Sequence, residues 1–384
     1  MPAMYTRALQ LPKTSFFLFG PRATGKTTWL RQQLPDAHWC DLVPTEAYVR
    51  YLREPGLLRH EVESLPSGSW VVVDEVQKVP ALLDEVHALI SKHGKRYRFA
   101  LSGSSARKLK RLQANMLAGR VVNRSFFPLT LQEIGKGVDV EELLRTGSLP
   151  GVRSDPESAM DTLEAYAANY LHQEIQQEAL TKDLASFARF LRIAAILNGQ
   201  IVNANNVASE AGVARSTVQR YFEILVDTLV GYSVPAWQPR LKVREVAHPK
   251  FYFFDPGVAR AAAGRARADV HETEKGALLE TWVLHELRAH MQIAQCGGEV
   301  SWYRTGGGLE VDFLWSGPNR RVGIEVKAST RWRSEFAGPL QEMIDQQVIQ
   351  HAVVVYLGDR ALQVGNVRVL PAASWAASLG DYLR

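Results

Sequence analysis

Apolar and polar positions alternate in blocks along the first third of the chain. The apolar runs Phe16–Phe19, Trp70–Val73 and Phe99–Ser102 have the length of buried strands, and amphipathic stretches separate them. Strands alternating with helices predict a mostly parallel sheet covered on both faces. From 128 to about 185 the pattern is helical, as over Met160–Ala179. From 186 to about 260 it is helical and then hairpin-like, with apolar runs at Val230–Trp237 and Phe251–Phe254. Beyond about 265 a long helix, Gly276–His290, precedes strand runs at Val300–Tyr303, Glu310–Trp315, Val322–Lys327 and Ala352–Leu357. Short linkers are expected at Arg145–Glu157 and Ala261–Lys275. The pattern has no internal repeat, and it predicts an α/β multidomain protein.

Composition narrows this picture without changing it. Over 384 residues, 46% are hydrophobic and 22% charged, which excludes disordered and fibrous chains. The longest apolar runs fall well short of the roughly 18 residues of a membrane span, so no membrane partner is expected. The N-terminus has no signal-peptide pattern. Two cysteines, Cys40 and Cys296, make neither a disulfide framework nor a cysteine-rich zinc site, and a reducing cytoplasm is expected. A net charge of +5, from 45 basic and 40 acidic residues, permits a nucleic-acid partner without demanding one.

The densest chemistry lies in Gly20-Pro21-Arg22-Ala23-Thr24-Gly25-Lys26-Thr27, with Thr28 opening the helix behind it. This is the G-x-x-x-x-G-K-[ST] pattern, set between a strand and a helix. Glycines let backbone N–H groups wrap phosphates, and the helix N-terminus adds positive potential. Lys26 is expected to reach the β- and γ-phosphates of ATP, and the Thr27 hydroxyl to ligate Mg2+. Trp70–Val73 followed by Asp74-Glu75 supplies the second half: Asp74 to hold Mg2+ and Glu75 to act as general base on the attacking water. A third strand ends Ser102-Gly103-Ser104-Ser105. Ser102 and Ser104 are both candidates to hold that water, and Ser104 is preferred. Protein-kinase signatures are absent.

These blocks, with Leu117-Ala118-Gly119-Arg120 and Phe127-Pro128-Leu129, resemble the AAA+ family of prokaryotic ATPases that carry a DUF4143 C-terminal region. The resemblance covers almost the whole chain. It implies an AAA+ P-loop core over 1–127, a helical lid over 128–185, a winged helix-turn-helix over 186–260 and a nuclease-like domain over 261–384. It also implies an arginine that reaches a neighbouring subunit's site, for which Arg120 stands in the right place and Arg124 is the reserve. A fixed cation there offsets charge developing on the γ-phosphate. Arg153 is a weak candidate for a second arginine from the lid.

The residues from Asn205 to Leu225 read as helix, tight turn at Gly212, and helix, with Ala208, Val213, Val218, Tyr221 and Leu225 spaced to pack the pair. Arg215, Ser216, Thr217, Gln219 and Arg220 would meet DNA, and Arg240, Lys242 and Arg244 form a basic wing tip. Winged helices also serve as protein-docking modules, so a packing role stays open.

Further on come Glu280 in a helix, Asp312 in Leu309–Leu314, and Glu325-x-Lys327 on a strand 13 positions after Asp312 (325 − 312). The set is similar to the PD-(D/E)xK pattern of restriction-endonuclease-like folds, with Val311 where the proline would stand. Asp312 and Glu325 offer hard oxygens to a second Mg2+. Lys327 would stabilise an activated water, and Glu280 would be an outer ligand. Such a set also persists as a DNA-binding scaffold without cleavage. Two further features carry two readings each. Trp332 in Arg331-Trp332-Arg333 is a base-stacking candidate or, more simply, one packed ring, and Lys108-Leu109-Lys110-Arg111 is a solvated face or a pore lining.

The expectation is therefore an ATPase acting with ATP and Mg2+ at the subunit interfaces of a homo-oligomer, as a hexameric ring. Its leading function is a motor on duplex or branched DNA. The alternatives are an ATP-gated, metal-dependent DNA nuclease, or a nucleotide-dependent signalling or defence switch that binds protein partners.

Overall fold

The structure is a computed structural model. It describes residues 5–104, 117, 119–135, 137–170, 183–238, 248–305 and 307–383. Contacts divide the chain into two compact units: residues 7–128 with 227–229, and the remainder.

The first unit is built on a five-stranded sheet in the order β2-β3-β4-β1-β5, every pairing parallel. The strands are β1 Phe16–Phe19, β2 His38–Asp41, β3 Trp70–Asp74, β4 Arg98–Gly103 and β5 Val122–Ser125. Strand period two sorts the apolar side chains into two layers. Phe17, Phe19, Val71, Val73 and Leu101 pack with Leu58, Val62, Leu82 and Val86 of helices α3 (Leu57–Glu63) and α4 (Leu82–His93). Phe16, Leu18, Val72 and Ala100 pack with Trp29 and Leu30 of α1 (Lys26–Gln33). Helix α2 spans Thr45–Arg53. The edge strands β2 and β5 are not legible as apolar runs, because His38-Trp39-Cys40-Asp41 and Val122-Asn123-Arg124-Ser125 have only one covered neighbour each.

In the second unit, helices α5 Leu131–Ile134, α6 Val140–Thr146, α7 Pro150–Ser154 and α8 Ala159–Ala165 come first. The stretch Arg145–Glu157, expected as a linker, carries the end of α6 and all of α7, because Leu149 and Val152 are buried there. The helix expected over Met160–Ala179 passes into a π-turn at Tyr166–Tyr170, and residues 171–182 lie outside the described residues. Helices α9 Leu184–Ile196, α10 Ala204–Ala211 and α11 Arg215–Asp227 follow, then an antiparallel pair, β6 Gly231–Val234 with β7 Lys250–Phe253. Gly212, at φ 67°, ends α10 in the left-handed region that a glycine adopts without strain. Helix α12 (Pro256–Ala262) is capped by the Asp255 carboxylate, which accepts from the Val258 N–H.

A six-stranded mixed sheet closes the chain in the order β12-β13-β11-β10-β9-β8. Its strands are β8 Glu299–Arg304, β9 Glu310–Ser316, β10 Arg321–Lys327, β11 His351–Tyr356, β12 Leu362–Val364 and β13 Val367–Pro371. The long helix α13 (Glu272–Ala294) covers one face, with Trp282, Val283 and Leu287 against Phe313, Trp315, Ile324 and Val353. Helix α14 (Gly338–Asp345) covers the other, with Leu340 and Met343 against Leu314, Val354 and Tyr356. Two short helices, Ala372–Ala377 and Leu379–Tyr382, complete the fold. Among the described residues, no helix is long and apolar enough to cross a membrane.

Buried polar groups on α13 fasten the segment that opens this unit. Glu286 accepts from the Leu131 N–H at 2.8 Å, and His285 Nε2 lies 3.1 Å from the Leu129 carbonyl oxygen. Burial pushes the Glu286 carboxyl up from 4.5 to about 8, with Glu133 adding to the rise and the Leu131 N–H opposing it. The folded state therefore holds this proton more tightly than the unfolded chain does. The stability it contributes is complete below 4.5 and is lost as pH rises through about 8. Glu286→Gln keeps an acceptor for Leu131 and removes the titration. The melting temperature of the wild type should fall relative to this variant between those two pH values. Parallel pH profiles, followed by circular dichroism, would refute the assignment.

Candidate nucleotide site

Strand β1 delivers the chain to Gly20, where a Cβ would lie 2.3 Å from the Phe126 carbonyl oxygen, so only glycine passes. The loop then turns through Ala23 (φ 60°) and Gly25 (φ 90°), both left-handed, and enters α1 at Lys26. Lys26 is buried, and its Nζ donates to the carbonyls of Gly20 (2.8 Å) and Pro21 (3.0 Å). The Thr24 hydroxyl donates to the Pro21 carbonyl at 2.9 Å. The loop's own backbone thus holds its ammonium group inside the curve where phosphates are expected. Pro21 and Thr24 are buried, Arg22, Gly25 and Thr27 are half-buried, and Ala23 and Thr28 are exposed.

Strand β3 ends at Asp74, whose side chain is fully buried. One of its oxygens accepts from the Thr27 hydroxyl at 2.7 Å, and the other accepts from the Ser102 hydroxyl. Burial raises the Asp74 pKa; the Ser102 and Thr27 hydroxyls oppose this, and Glu75 and Asp41 add to it. Thr27 and Asp74 are hard oxygen donors in contact, a set suited to Mg2+ shared with phosphate oxygens and water. Glu75 follows at φ 58°, a left-handed conformation that a non-glycine residue adopts only where its surroundings hold it. What holds it is visible: its N–H donates to Ser102 Oγ at 3.1 Å, and its carboxylate accepts from Gln77 Nε2 and, at 3.3 Å, from Ser104 Oγ. Gln77 Nε2 also donates to Ser104 Oγ at 3.1 Å. Ser102, on β4, meets Asp74, and Ser104, just past the end of that strand, meets Glu75.

The first unit coincides with a family match. Residues 12–135 match an AAA domain, residues 137–269 a domain of unknown function (DUF8612), and residues 275–375 a second one (DUF4143). The chain carries an AAA-like domain and a DUF4143 region. Similar chains include uncharacterised proteins of Mycobacterium tuberculosis and Mycobacterium bovis, each 26% identical over 95% of this chain and 81% of the relative. An uncharacterised Haemophilus influenzae protein is 25% identical over 56% of this chain and 57% of its own length. Among solved structures, a signal transduction ATPase with numerous domains (STAND) from Pyrococcus horikoshii, with a tetratricopeptide repeat sensor, is 13% identical at a TM-score of 0.22. That likeness covers 74% of this chain, which spans 46% of that protein's length. A Vibrio cholerae protein is 12% identical at a TM-score of 0.22, over 96% of this chain and 97% of its own.

The AAA domain implies nucleotide binding. Two residues of this site escaped the sequence pattern. Gln77 sits two positions past Glu75 between Val76 and Lys78, in a mixed polar stretch that carries no signal of its own. Arg7 left no local signal, because its partners lie far along the chain. It donates to the Thr24 carbonyl at 2.8 Å and the Phe127 carbonyl at 2.6 Å, and it lies 4.1 Å over the Phe126 ring. It ties the phosphate loop to the strand exit beside it.

Arg120 is exposed, and its guanidinium bonds His87 Nε2 (3.1 Å) and Ser91 Oγ on α4. Arg124 lies on the edge strand β5 and donates to the Asn123 carbonyl at 2.9 Å. In the second unit Arg153 pairs with Glu142 at 2.8 Å. On α11, Arg215, Ser216, Gln219 and Arg220 are exposed and Thr217 is half-buried, while Val218, Tyr221 and Leu225 are buried on the opposite side. The expected wing-tip residues Arg240, Lys242 and Arg244 lie outside the described residues, as do Ser105 and Lys108–Arg111. Trp332 packs edge-on against Phe336 at 5.7 Å, the simpler of its two readings.

The acidic set of the C-terminal region converges, but not alone. Asp312 N–H donates to Glu325 at 3.4 Å, the Val326 N–H donates to Asp312 at 2.8 Å, and Lys327 pairs with Glu325. Glu280 accepts from the Tyr252 hydroxyl at 2.6 Å. Besides Tyr252, two more residues absent from the motif, Lys250 and Glu310, join them. Lys250 Nζ lies 2.7 Å from Glu310, 3.7 Å from Asp312 and 4.0 Å from Glu280. Burial holds the Glu280, Asp312 and Glu325 carboxyls above their ordinary values, against the pull of Lys250 on Glu280 and Asp312 and of Lys327 on Asp312 and Glu325. Among the described residues, no group of three His, Cys, Asp or Glu side chains is arranged to hold a metal ion.

Replacing Arg7 with alanine removes its hydrogen bonds to the Thr24, Phe127 and Pro128 carbonyls, each worth about 1 kcal/mol. Nucleotide affinity, read with a fluorescent ATP analogue, should drop roughly tenfold. Unchanged affinity would show that the loop needs no such anchor.

Proposed function

We propose that the protein hydrolyses ATP with Mg2+ and uses the cycle to act on DNA. The contact between Thr27 and Asp74 at 2.7 Å carries the first part, because it joins the phosphate loop to the end of the acidic strand. In this reading, Lys26 turns from its backbone carbonyls to the β- and γ-phosphates. Mg2+, held by Thr27 and Asp74, supplies charge neutralisation on the phosphate oxygens. Glu75 takes the proton of the attacking water, and Ser104 and Gln77 fix the orientation of that carboxylate. Arg120 acts on the site of a neighbouring copy in a homo-oligomeric, hexameric ring. Its support is an exposed guanidinium held in place by His87 and Ser91.

The DNA part rests on the second unit. Two helices joined at Gly212 and followed by an antiparallel pair have the element order of a winged helix-turn-helix, and α11 presents Arg215, Ser216, Gln219 and Arg220 to solvent. The reading is a cytoplasmic motor on duplex or branched DNA. The modest net charge of +5 favours one competitor, a nucleotide-dependent switch that binds protein partners.

The test is steady-state ATP hydrolysis by the wild type and Glu75→Gln, without DNA and with single-stranded, duplex and four-way-junction DNA. Stimulation by one form, lost in Glu75→Gln, is the expected result. Equal turnover with and without every DNA sinks the motor and leaves the switch. Gln77→Ala should lower kcat by roughly tenfold, about 1.4 kcal/mol, while KM for ATP changes little. A KM effect alone would make Gln77 a binding residue instead.

A further inference from the structure

The centre formed by Glu280, Glu310, Asp312 and Glu325 poses a question that the motif does not. The D…ExK pattern calls for a divalent cation between Asp312 and Glu325. The oxygens that would receive it are already engaged by the chain. One oxygen of Asp312 accepts from the Val326 N–H, and the other faces Lys250. One oxygen of Glu325 meets the Lys327 ammonium, and the other accepts from the Asp312 N–H. Glu280 takes the Tyr252 hydroxyl.

Lys250 is no surface side chain that drifted inward. Its side chain is 6% exposed. It opens strand β7, where its backbone pairs with Val234 on one side and Ile201 on the other, so its Cα is fixed by two strand partners. Its ammonium lies 5.3 Å above the Trp302 ring, an apolar face that favours a cation and offers nothing to a carboxylate. Three carboxylates from α13 and β9 surround the same atom. An unpaired lysine buried this deeply would be costly, and so would the carboxylates without it.

We propose that Lys250 is the resident cation of this centre. Its ammonium stands among Glu280, Glu310 and Asp312, the last being one of the two carboxylates to which the nuclease pattern assigns a divalent ion. The residues therefore do not fit a metal. The centre is a built-in ion cluster that joins β7, β9 and α13 within the second unit. A divalent ion entering beside Lys250 would meet a like charge at contact range, and it would also have to strip the N–H and ammonium donors from Asp312 and Glu325. Sequence offered no route to this, because Lys250 lies 62 positions before Asp312 (312 − 250) and outside the motif.

The experiment is Mn2+ binding to the nucleotide-free, full-length protein, followed by electron paramagnetic resonance and calorimetry. It compares the wild type, Asp312→Asn, Lys250→Met and the Lys250→Met/Asp312→Asn pair. The wild type and Asp312→Asn should bind Mn2+ alike. Lys250→Met should gain one further equivalent, which Asp312→Asn removes. Wild-type binding that depends on Asp312, or Mn2+-dependent DNA cleavage abolished by Asp312→Asn, overturns the proposal and restores the nuclease. A folded Lys250→Met that gains no Mn2+ overturns it as well, because then Lys250 is not what fills the position. Should Lys250→Met fail to fold, Lys250→Met/Glu310→Gln, which removes one charge of each sign, carries the same comparison.

Discussion

A carboxylate at the end of a buried strand organises the first unit. Asp74 follows three fully buried valines, so its side chain has no water to turn to. A polar group in that position must find partners within the protein. It finds the Thr27 hydroxyl at the start of α1 and the Ser102 hydroxyl at the end of β4. Satisfying Asp74 therefore requires the phosphate loop, β3 and β4 to finish at the same edge. The all-parallel order provides that, since parallel strands direct their C-terminal ends to one side. The left-handed Glu75 is a consequence: its N–H reaches Ser102, and its carboxylate is then set against Gln77 and Ser104.

The second unit treats its acidic residues differently. Around Asp74 the partners are hydroxyls, which stabilise a carboxylate without cancelling its charge. Around Asp312 and Glu325 they include two lysine ammonium groups, which do cancel charge. The first arrangement leaves a negative oxygen facing a phosphate loop. The second gives a charge cluster in which Lys250 and Lys327 of the chain itself are the counter-ions. Two buried acidic groups in one protein are thus suited to opposite tasks, and the nature of the partner decides between them.

Much of the site was legible because its chemistry is local. The run Gly20–Thr27 is contiguous, and its glycines answer to close approach at Gly20 and a left-handed φ at Gly25. Trp70–Asp74 is an apolar strand closed by acids, and the end of the third strand offered Ser102 and Ser104 as candidates. Less was legible where a residue acts through distant partners. Arg7 binds carbonyls 17 and 120 positions away, and nothing in its neighbourhood announces that. The edge strands β2 and β5 were hidden because one uncovered side relaxes the demand for apolar residues. The stretch Arg145–Glu157, with two glycines and two prolines, reads as a linker, yet buried Leu149 and Val152 make part of it a helix.

The sequence by itself determined the elements with strong periodicity, the phosphate loop, the acidic strand end and the helix pair around Gly212, since each depends on neighbours within a few residues. It also determined that Glu280, Asp312, Glu325 and Lys327 lie on a helix and two strands able to meet. Tertiary structure alone decided which cation they meet. Period and spacing fix the face on which a side chain stands, but the group opposite is chosen by how strands from remote parts of the chain pair. Lys250 reaches the cluster because β7 brings it there, and Gln77 reaches Glu75 because the turn after β3 folds back toward β4.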